Sequence, residues 1–295
     1  MFDIEKFYQA ASVQDAVRAL REDESAVVIA GGTDVLVEVR AGKLAGCSLV
    51  SVHGLAELQG VELAADGGVI IRSGTTFSHI ANDPVLLATV PMLAYAADQV
   101  GGPQTRNAGT IGGNVCNGVT SADSASSLWA LNAVLELTGG EGTRRVPVRE
   151  FYTGPGKTVR KHDEILVAIH IAKADYEGFG GCYIKYGKRN AMEIATLGCA
   201  AMVKLSHDHK TVAELRLAYG VAGPTPLRCV NTEQAVKGAP VNAALYDVIA
   251  EGALGEVKPR TSWRASKEFR LQLVSELARR AVKQAVINAG GEADV

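Results

Sequence analysis

Two glycine-rich stretches carry residue types suited to holding an anion. One is Ala108-Gly109-Thr110-Ile111-Gly112-Gly113-Asn114-Val115-Cys116-Asn117-Gly118, and the other is Ala30-Gly31-Gly32-Thr33-Asp34. Water solvates a pyrophosphate well, so a protein must replace that water with donors. Backbone N–H groups do so with little reorganisation, provided no Cβ stands between chain and ligand. Glycine at 31, 32, 112 and 113 leaves that approach open, and Thr33, Thr110 and Asn114 add short side-chain donors. Together the stretches predict two clamps on one pyrophosphate. Taken singly, each reads equally well as an ordinary turn in a chain with 32 glycines. On the clamp reading, Gly112→Val loses the ligand while the chain still folds.

Other chemistries lack their residues. A Rossmann fingerprint needs G-x-G-x-x-G after the first strand, and Gly31-Gly32-Thr33-Asp34 does not have that spacing. Neither stretch ends in the Gly-Lys-Ser/Thr of a P-loop. No Ser-His-Asp, Cys-His or paired-carboxylate constellation stands out. His207-Asp208-His209, flanked by Ser206 and Lys210, predicts an exposed hairpin turn rather than a metal site. The five cysteines are scattered without a CxxC pair, so neither zinc nor an iron–sulfur cluster finds its ligand spacing. An odd cysteine count without a secretion signal at Met1-Phe2-Asp3-Ile4-Glu5-Lys6 predicts reduced thiols and a cytoplasmic location. No apolar run approaches the roughly 20 residues of a membrane span. A net charge of −2 excludes a generally basic nucleic-acid binder.

The elements that must position the two stretches follow from the hydrophobic pattern. With 295 residues, 47% of them hydrophobic, the chain can build two or three packed units. Ser12 caps a helix through Ala16, Val17, Ala19 and Leu20. Ala26 to Ala30 reads as a buried strand running straight into Gly31-Gly32, and Thr33 or Asp34 opens a short helix before a strand at Leu49 to Val52. A hairpin turns at Ala64 to Gly68. Helical periodicity runs through Phe77 to Ala81 and Val85 to Val100 and stops at Gly101-Gly102-Pro103. Arg106 to Gly118 reads as one long loop, and Ser121 or Asp123 starts the next helix, Ala125 to Ala130. Strands are predicted at Val134 to Leu137, Arg145 to Val148 and Ile165 to Ile171, with a turn at Gly154-Pro155-Gly156. After a charged, glycine-rich boundary at Ala174 to Gly181 come strands at Cys182 to Tyr186, Leu197 to Leu205 and Leu215 to Val221. Helices at Ala243 to Ala253 and Glu268 to Ile287 close the chain.

The two glycine stretches in order resemble the paired FAD-binding signature of molybdenum hydroxylase flavoprotein subunits, the module shared by xanthine dehydrogenase, aldehyde oxidase and carbon monoxide dehydrogenase. The likeness extends over Gly102 to Asn107, Cys116 to Ser124 and Ser262 to Arg270, and so over essentially the whole chain. It is nearest to the separate FAD-binding subunits of bacterial xanthine dehydrogenases. The resemblance implies an α+β fold: a two-lobed, non-Rossmann FAD-binding domain of the vanillyl-alcohol oxidase type at 1–176 (lobes about 1–54 and 55–176), then a C-terminal antiparallel sheet packed on helices at 177–295. FAD is expected in the cleft between the two domains.

Carried over position by position, the resemblance implies that Val28, Ile29, Ala30, Gly31, Gly32, Thr33, Asp34 and Val35, together with Gly109, Thr110, Gly112, Gly113 and Asn114, hold the FAD pyrophosphate. Asp123 is expected to accept from an FAD hydroxyl, or simply to cap its helix. Leu166 is placed against the flavin region, Lys185 near the flavin or on a solvated strand edge, and Ile194 over the flavin ring or in the core. Val100 stands where animal members carry an aromatic residue near the adenine. The chemistry implied is electron transfer to FAD from a molybdenum-cofactor subunit through a 2Fe–2S subunit, then hydride transfer to NAD. Flavoprotein subunits of carbon monoxide, aldehyde or nicotinate dehydrogenases, and a scaffold that has kept the fold without the cofactor, are the alternatives.

Overall fold

The computed structural model describes residues 3–292; the first two residues of the leader reading lie outside them. Ser12, an extended residue whose hydroxyl accepts from the Asp15 amide, caps the first helix. The first lobe is a β–α–β–α–β unit made of β1 (Ile4–Gln9), α1 (Val13–Glu22), β2 (Val27–Ile29), α2 (Val35–Arg40) and β3 (Cys47–Ser51). Its sheet has the order β1-β3-β2, all parallel. Val27, Val28 and Ile29 pair with Leu49, Val50 and Ser51, which fixes where the chain leaves the sheet and enters Gly31-Gly32.

The second lobe holds β4 (Val61–Leu63), β5 (Val69–Arg72), α3 (Phe77–Asn82), α4 (Pro84–Thr89), α5 (Pro91–Asp98), α6 (Pro103–Ala108), α7 (Ile111–Cys116), α8 (Asp123–Ala130), β6 (Val134–Gly139), β7 (Gly142–Pro147), α9 (Val148–Phe151), β8 (Tyr152–Gly154), β9 (Lys157–Thr158) and β10 (Ile165–Ile171). Its five-stranded sheet has the order β4-β5-β10-β6-β7. The periodicity read through Val85 to Val100 is two helices, because Pro91 removes a backbone donor and begins α5. The expected long loop from Arg106 to Gly118 is mostly helical. Pro103 starts α6, and the Thr110 hydroxyl accepts from the Gly113 amide to cap α7. Glycine content alone pointed to loop; a proline at the first position of α6 and a threonine cap on α7 outweigh it.

The C-terminal part pairs β11 (Phe179–Tyr186), β12 (Leu197–Leu205), β13 (Val212–Gly220) and β14 (Leu227–Arg228) in sequence order, all antiparallel, followed by α10 (Val230–Ala235), α11 (Ala243–Glu256) and α12 (Lys267–Asn288). The middle strand β12 is buried on both sides. Leu197, Cys199, Ala201 and Val203 face the core shared with α11 and α12, and Ala200 and Met202 face the core shared with α5 and α8. Period-two alternation feeds two cores from one strand, at about 1.5–3 kcal/mol per large apolar side chain buried. His207 to Lys210 form the turn between β12 and β13, as expected. Among the described residues no helix is long and apolar enough to cross a membrane, and no cluster of side chains suits a metal.

Candidate functional site

A cavity of about 450 Å³ opens between the two N-terminal lobes. Every residue lining it lies between Val27 and Leu166, so its described walls come from the N-terminal part of the chain. Val28, Ala30, Gly31, Gly32, Thr33, Asp34, Val35, Gly109, Thr110, Gly112, Gly113, Asn114 and Leu166 line it. Ile29 does not: its side chain joins the small core under α2. Asp123, Lys185 and Ile194 do not line it either.

The two loops reach the cavity by different means. After β2 the chain turns through Gly32, whose φ of +71° lies in the left-handed region. Among the described residues, the amides of Gly31, Gly32, Thr33, Asp34 and Val35 donate to no protein acceptor. They form a run of five unspent donors at the start of α2, on the cavity wall. Among the described residues, the second loop has spent all of its amides from 109 to 114 except that of Thr110. Residues 109–112 run against 73–77, with the Ile111 amide on the Thr75 carbonyl (3.1 Å) and the Gly112 amide on the Ser73 carbonyl (2.8 Å). Gly113 N–H is taken by the Thr110 hydroxyl at 3.1 Å and Asn114 N–H by the Thr110 carbonyl at 3.0 Å. What this loop offers the cavity is the Thr110 amide and the Asn114 side chain. Ser124 donates to Asn114 Oδ1 at 2.7 Å, which turns Nδ2 outward as a free donor.

The glycines have a different reason from the one the sequence suggested. A Cβ on Gly31 would stand 1.8 Å from the Ala108 carbonyl oxygen, and one on Gly112 would stand 2.5 Å from Ser73 Cβ. Both glycines let chain pack against chain. A Cβ on Gly113 would meet only Thr110 Oγ1, at 3.1 Å, so this exposed glycine is the one that leaves space over the cavity.

Sequence reasoning missed several lining residues. Arg160 is the one cation among the described lining residues, and its guanidinium is held by the carbonyls of Lys161, His162 and Glu164. Asp34, Glu38 and Glu164 supply carboxylates, which accept from hydroxyls. Cys116 also faces the cavity, and burial pushes its thiol up to about 11, so it stays neutral at physiological pH. Asp34 was among the expected residues and Cys116 belongs to the second glycine-rich stretch; Arg160, Glu38 and Glu164 stand in no recognisable spacing. Ser124 lay inside the Cys116–Ser124 stretch, and only its contact with Asn114 gives it a role.

Asp123 is not a helix cap: Ala122 holds that position, and the Asp123 carboxylate turns inward. Tyr183 Oη donates to it at 2.8 Å and Lys185 Nζ at 2.7 Å. Burial pushes the Asp123 carboxyl up, against the opposing pull of Lys185 and Tyr183. Lys185 is likewise no solvated strand edge. Its side chain is 9% exposed and donates a second bond to the Gln99 carbonyl at 2.8 Å. An ammonium has three protons, so one donor is left. Ile194 is half exposed rather than core. Val100 lines the cavity, and Phe77 is the one aromatic among the described lining residues.

Comparison with known proteins fits this arrangement. Residues 2–173 match the family model described as the FAD binding domain in molybdopterin dehydrogenase, and residues 182–285 match the CO dehydrogenase flavoprotein C-terminal domain. The chain is 45% identical over 292 residues to the xanthine dehydrogenase FAD-binding subunit of Escherichia coli O157:H7, covering 99% of both chains. It is 28% identical to the carbon monoxide dehydrogenase medium chain of Hydrogenophaga pseudoflava, covering 95% of this chain and 96% of that one. The solved carbon monoxide dehydrogenase of that organism, lacking the Mo-pyranopterin moiety, superposes with a TM-score of 0.92 at 26% identity over 98% of this chain and 99% of its counterpart. Free backbone donors, a shaped cavity and full-length similarity agree, and the chain belongs to the family of FAD-binding subunits of molybdenum hydroxylases.

Proposed function

We propose that this chain is the flavin subunit of a cytoplasmic xanthine dehydrogenase that works with a molybdenum-cofactor subunit and a 2Fe–2S subunit and uses NAD as acceptor. The observation that carries the reading is the run of unspent amides from Gly31 to Val35 on the wall of the cavity that Asn114 also lines. That donor set fits a pyrophosphate: oriented N–H dipoles solvate its charge in place of water. The cavity carboxylates fit the hydroxyls of a ribityl or ribose chain. Bound FAD would supply the redox chemistry, accepting electrons from the iron–sulfur partner and passing hydride to NAD.

This chain's own residues bind and tune. Gly31 to Val35 and Asn114 hold the phosphates. Leu166, on β10, presents an apolar wall that excludes water. Lys185 brings a positive charge, fixed by Asp123 and the Gln99 carbonyl, with its third N–H left to oppose negative charge on the flavin. Ile194 is exposed and free to cover the ring. Identity of 45% to a xanthine dehydrogenase subunit, against 28–30% for the carbon monoxide and nicotinate relatives, favours xanthine among the substrates.

The purified chain should show the visible flavin band, or gain it on adding FAD, and should then reduce an artificial dye with NADH. Alone it should not oxidise xanthine. Assembled with its partners it should oxidise xanthine in preference to carbon monoxide, aldehydes and nicotinate. A chain that takes up no FAD, or xanthine oxidation by the isolated chain, would sink this reading.

A further inference from the structure

A cationic seat lies beside the loop that leads from Lys185 back to the cavity. The chain as a whole carries a net charge of −2, yet residues 258–270 hold five cations and one carboxylate, Glu268. Lys258, Arg260, Arg264, Lys267 and Arg270, with Lys188 opposite, make no ion pair among the described residues. By contrast Arg144, Arg216 and Arg228 each hold a carboxylate.

The seat is built rather than merely charged. Arg270 is 2% exposed and is held by neutral groups only: the Thr196 carbonyl at 3.2 Å, Ser262 Oγ at 2.8 Å and the Arg260 carbonyl. Its guanidinium pKa is pushed down by burial and then by the neighbouring charges of Arg260 and Arg264. Two buried polar atoms nearby, Arg264 Nε and Thr196 Oγ1, have no hydrogen-bond partner among the described residues. Over this recess stands Trp263, 78% exposed, with the Arg264 guanidinium 4.3 Å and Lys188 Nζ 5.9 Å from its ring centroid. A buried cation without a counter-charge is costly, and an exposed tryptophan beside arginine has the composition of an interface anchor.

The seat is continuous with the cavity rim. The Tyr186 carbonyl accepts from the Thr196 amide, which closes the loop between β11 and β12. On that loop the Met192 amide donates to the Gly101 carbonyl, next to Val100 on the cavity wall.

We propose that Trp263 and the surrounding cations are the docking seat for an acidic segment of the electron-delivering iron–sulfur partner, with a carboxylate of that segment completing the Arg264–Arg270 recess. This rests on the reading of the chain as one subunit of a larger enzyme. Nucleic acid or an anionic membrane presents an extended polyanion. A recess formed by single guanidiniums instead suits individual carboxylates.

The test is co-expression of the chain with its molybdenum and iron–sulfur partner chains, followed by co-elution and titration of the purified components at two salt concentrations. Trp263→Ala, and separately Arg260→Glu with Arg264→Glu, should each weaken association with the iron–sulfur chain by about 10-fold or more. The charge-reversal pair should also flatten the salt dependence. Flavin absorption per chain and NADH-driven dye reduction should match the wild type, and they report separately on the flavin reading. If the charge-reversal chain misfolds, Trp263→Ala decides, because that side chain is mostly in solvent. Wild-type affinity in Trp263→Ala, no association in the wild type, or binding of anionic vesicles or oligonucleotides in preference to the partner overturns the proposal.

Discussion

The carbonyl oxygen of Ala108 occupies the space that a side chain on Gly31 would need, 1.8 Å from where its Cβ would be. The two loops therefore touch backbone to backbone beside the cavity that both line. Gly31→Ala should force them apart. The expected outcome is a loss of about 1–3 kcal/mol of stability, the usual range for overpacking, together with much weaker FAD binding. Urea unfolding and the flavin content of the purified variant check both.

Gly112 and Gly113 should separate where the sequence treats them alike. A Cβ on Gly112 meets Ser73 at 2.5 Å and its carbonyl at 2.7 Å, so Gly112→Val damages folding itself rather than removing only the ligand. A Cβ on Gly113 meets only the Thr110 hydroxyl at 3.1 Å. Gly113→Ala should fold with a melting temperature close to wild type and show its effect in FAD affinity. Thermal unfolding with and without added FAD distinguishes the two variants.

The strands and helices were largely legible because their burial follows simple periods: β12 alternates between two cores, and Ser12 caps α1. The helix at Ile111–Cys116 was hidden because its two glycines disguise a capped helix. The glycine loops were recognisable as a pair, but not their division of labour. Whether an amide is free depends on the strand that runs beside it, here residues 73–77, which is distant in sequence. The same holds for Asp123 and Lys185, whose pairing joins α8 to β11 across the domain boundary.

That pairing carries its own prediction. Asp123 and Lys185 are both nearly buried, 2.7 Å apart. Removing one partner strands the other charge, so Asp123→Leu should cost about 3–5 kcal/mol. Adding Lys185→Met to it should restore most of that stability. Chemical denaturation of the two single variants and the double variant measures the coupling. A double variant as unstable as the sum of the singles would mean the two residues act independently.

Glu164 sets an acid limit. Burial alone would raise its pKa, but two bonds from Arg144, at 2.6 and 2.9 Å, and one from the Lys161 amide outweigh burial and hold it below the ordinary glutamate range. A depressed folded-state value means the unfolded chain takes up the proton first. The contribution is therefore complete above about pH 4.3 and is lost as the pH falls through the lower folded value. Glu164→Gln should be less stable than wild type at neutral pH, and the gap should shrink in acid. Urea midpoints measured on either side of that window test the sign.

Ser124 should matter only through Asn114. Its hydroxyl donates to Asn114 Oδ1 at 2.7 Å and so decides which end of the amide meets the cavity. Without it the side chain can turn over and present an oxygen to an anionic ligand, which repels rather than binds. Ser124 is fully buried at the start of α8, so Ser124→Ala removes one hydroxyl without opening a channel to solvent. A hydrogen bond of this kind contributes about 1 kcal/mol, so FAD affinity should fall about 5-fold. Asn114→Asp, which fixes oxygen toward the cavity and adds charge, should fall much further, and Asn114→Ala should lie between the two. Titration of the flavin-free chain with FAD, followed by fluorescence quenching, ranks the three. If Asn114→Asp binds FAD as well as Asn114→Ala does, the Asn114 amide does not face the phosphates.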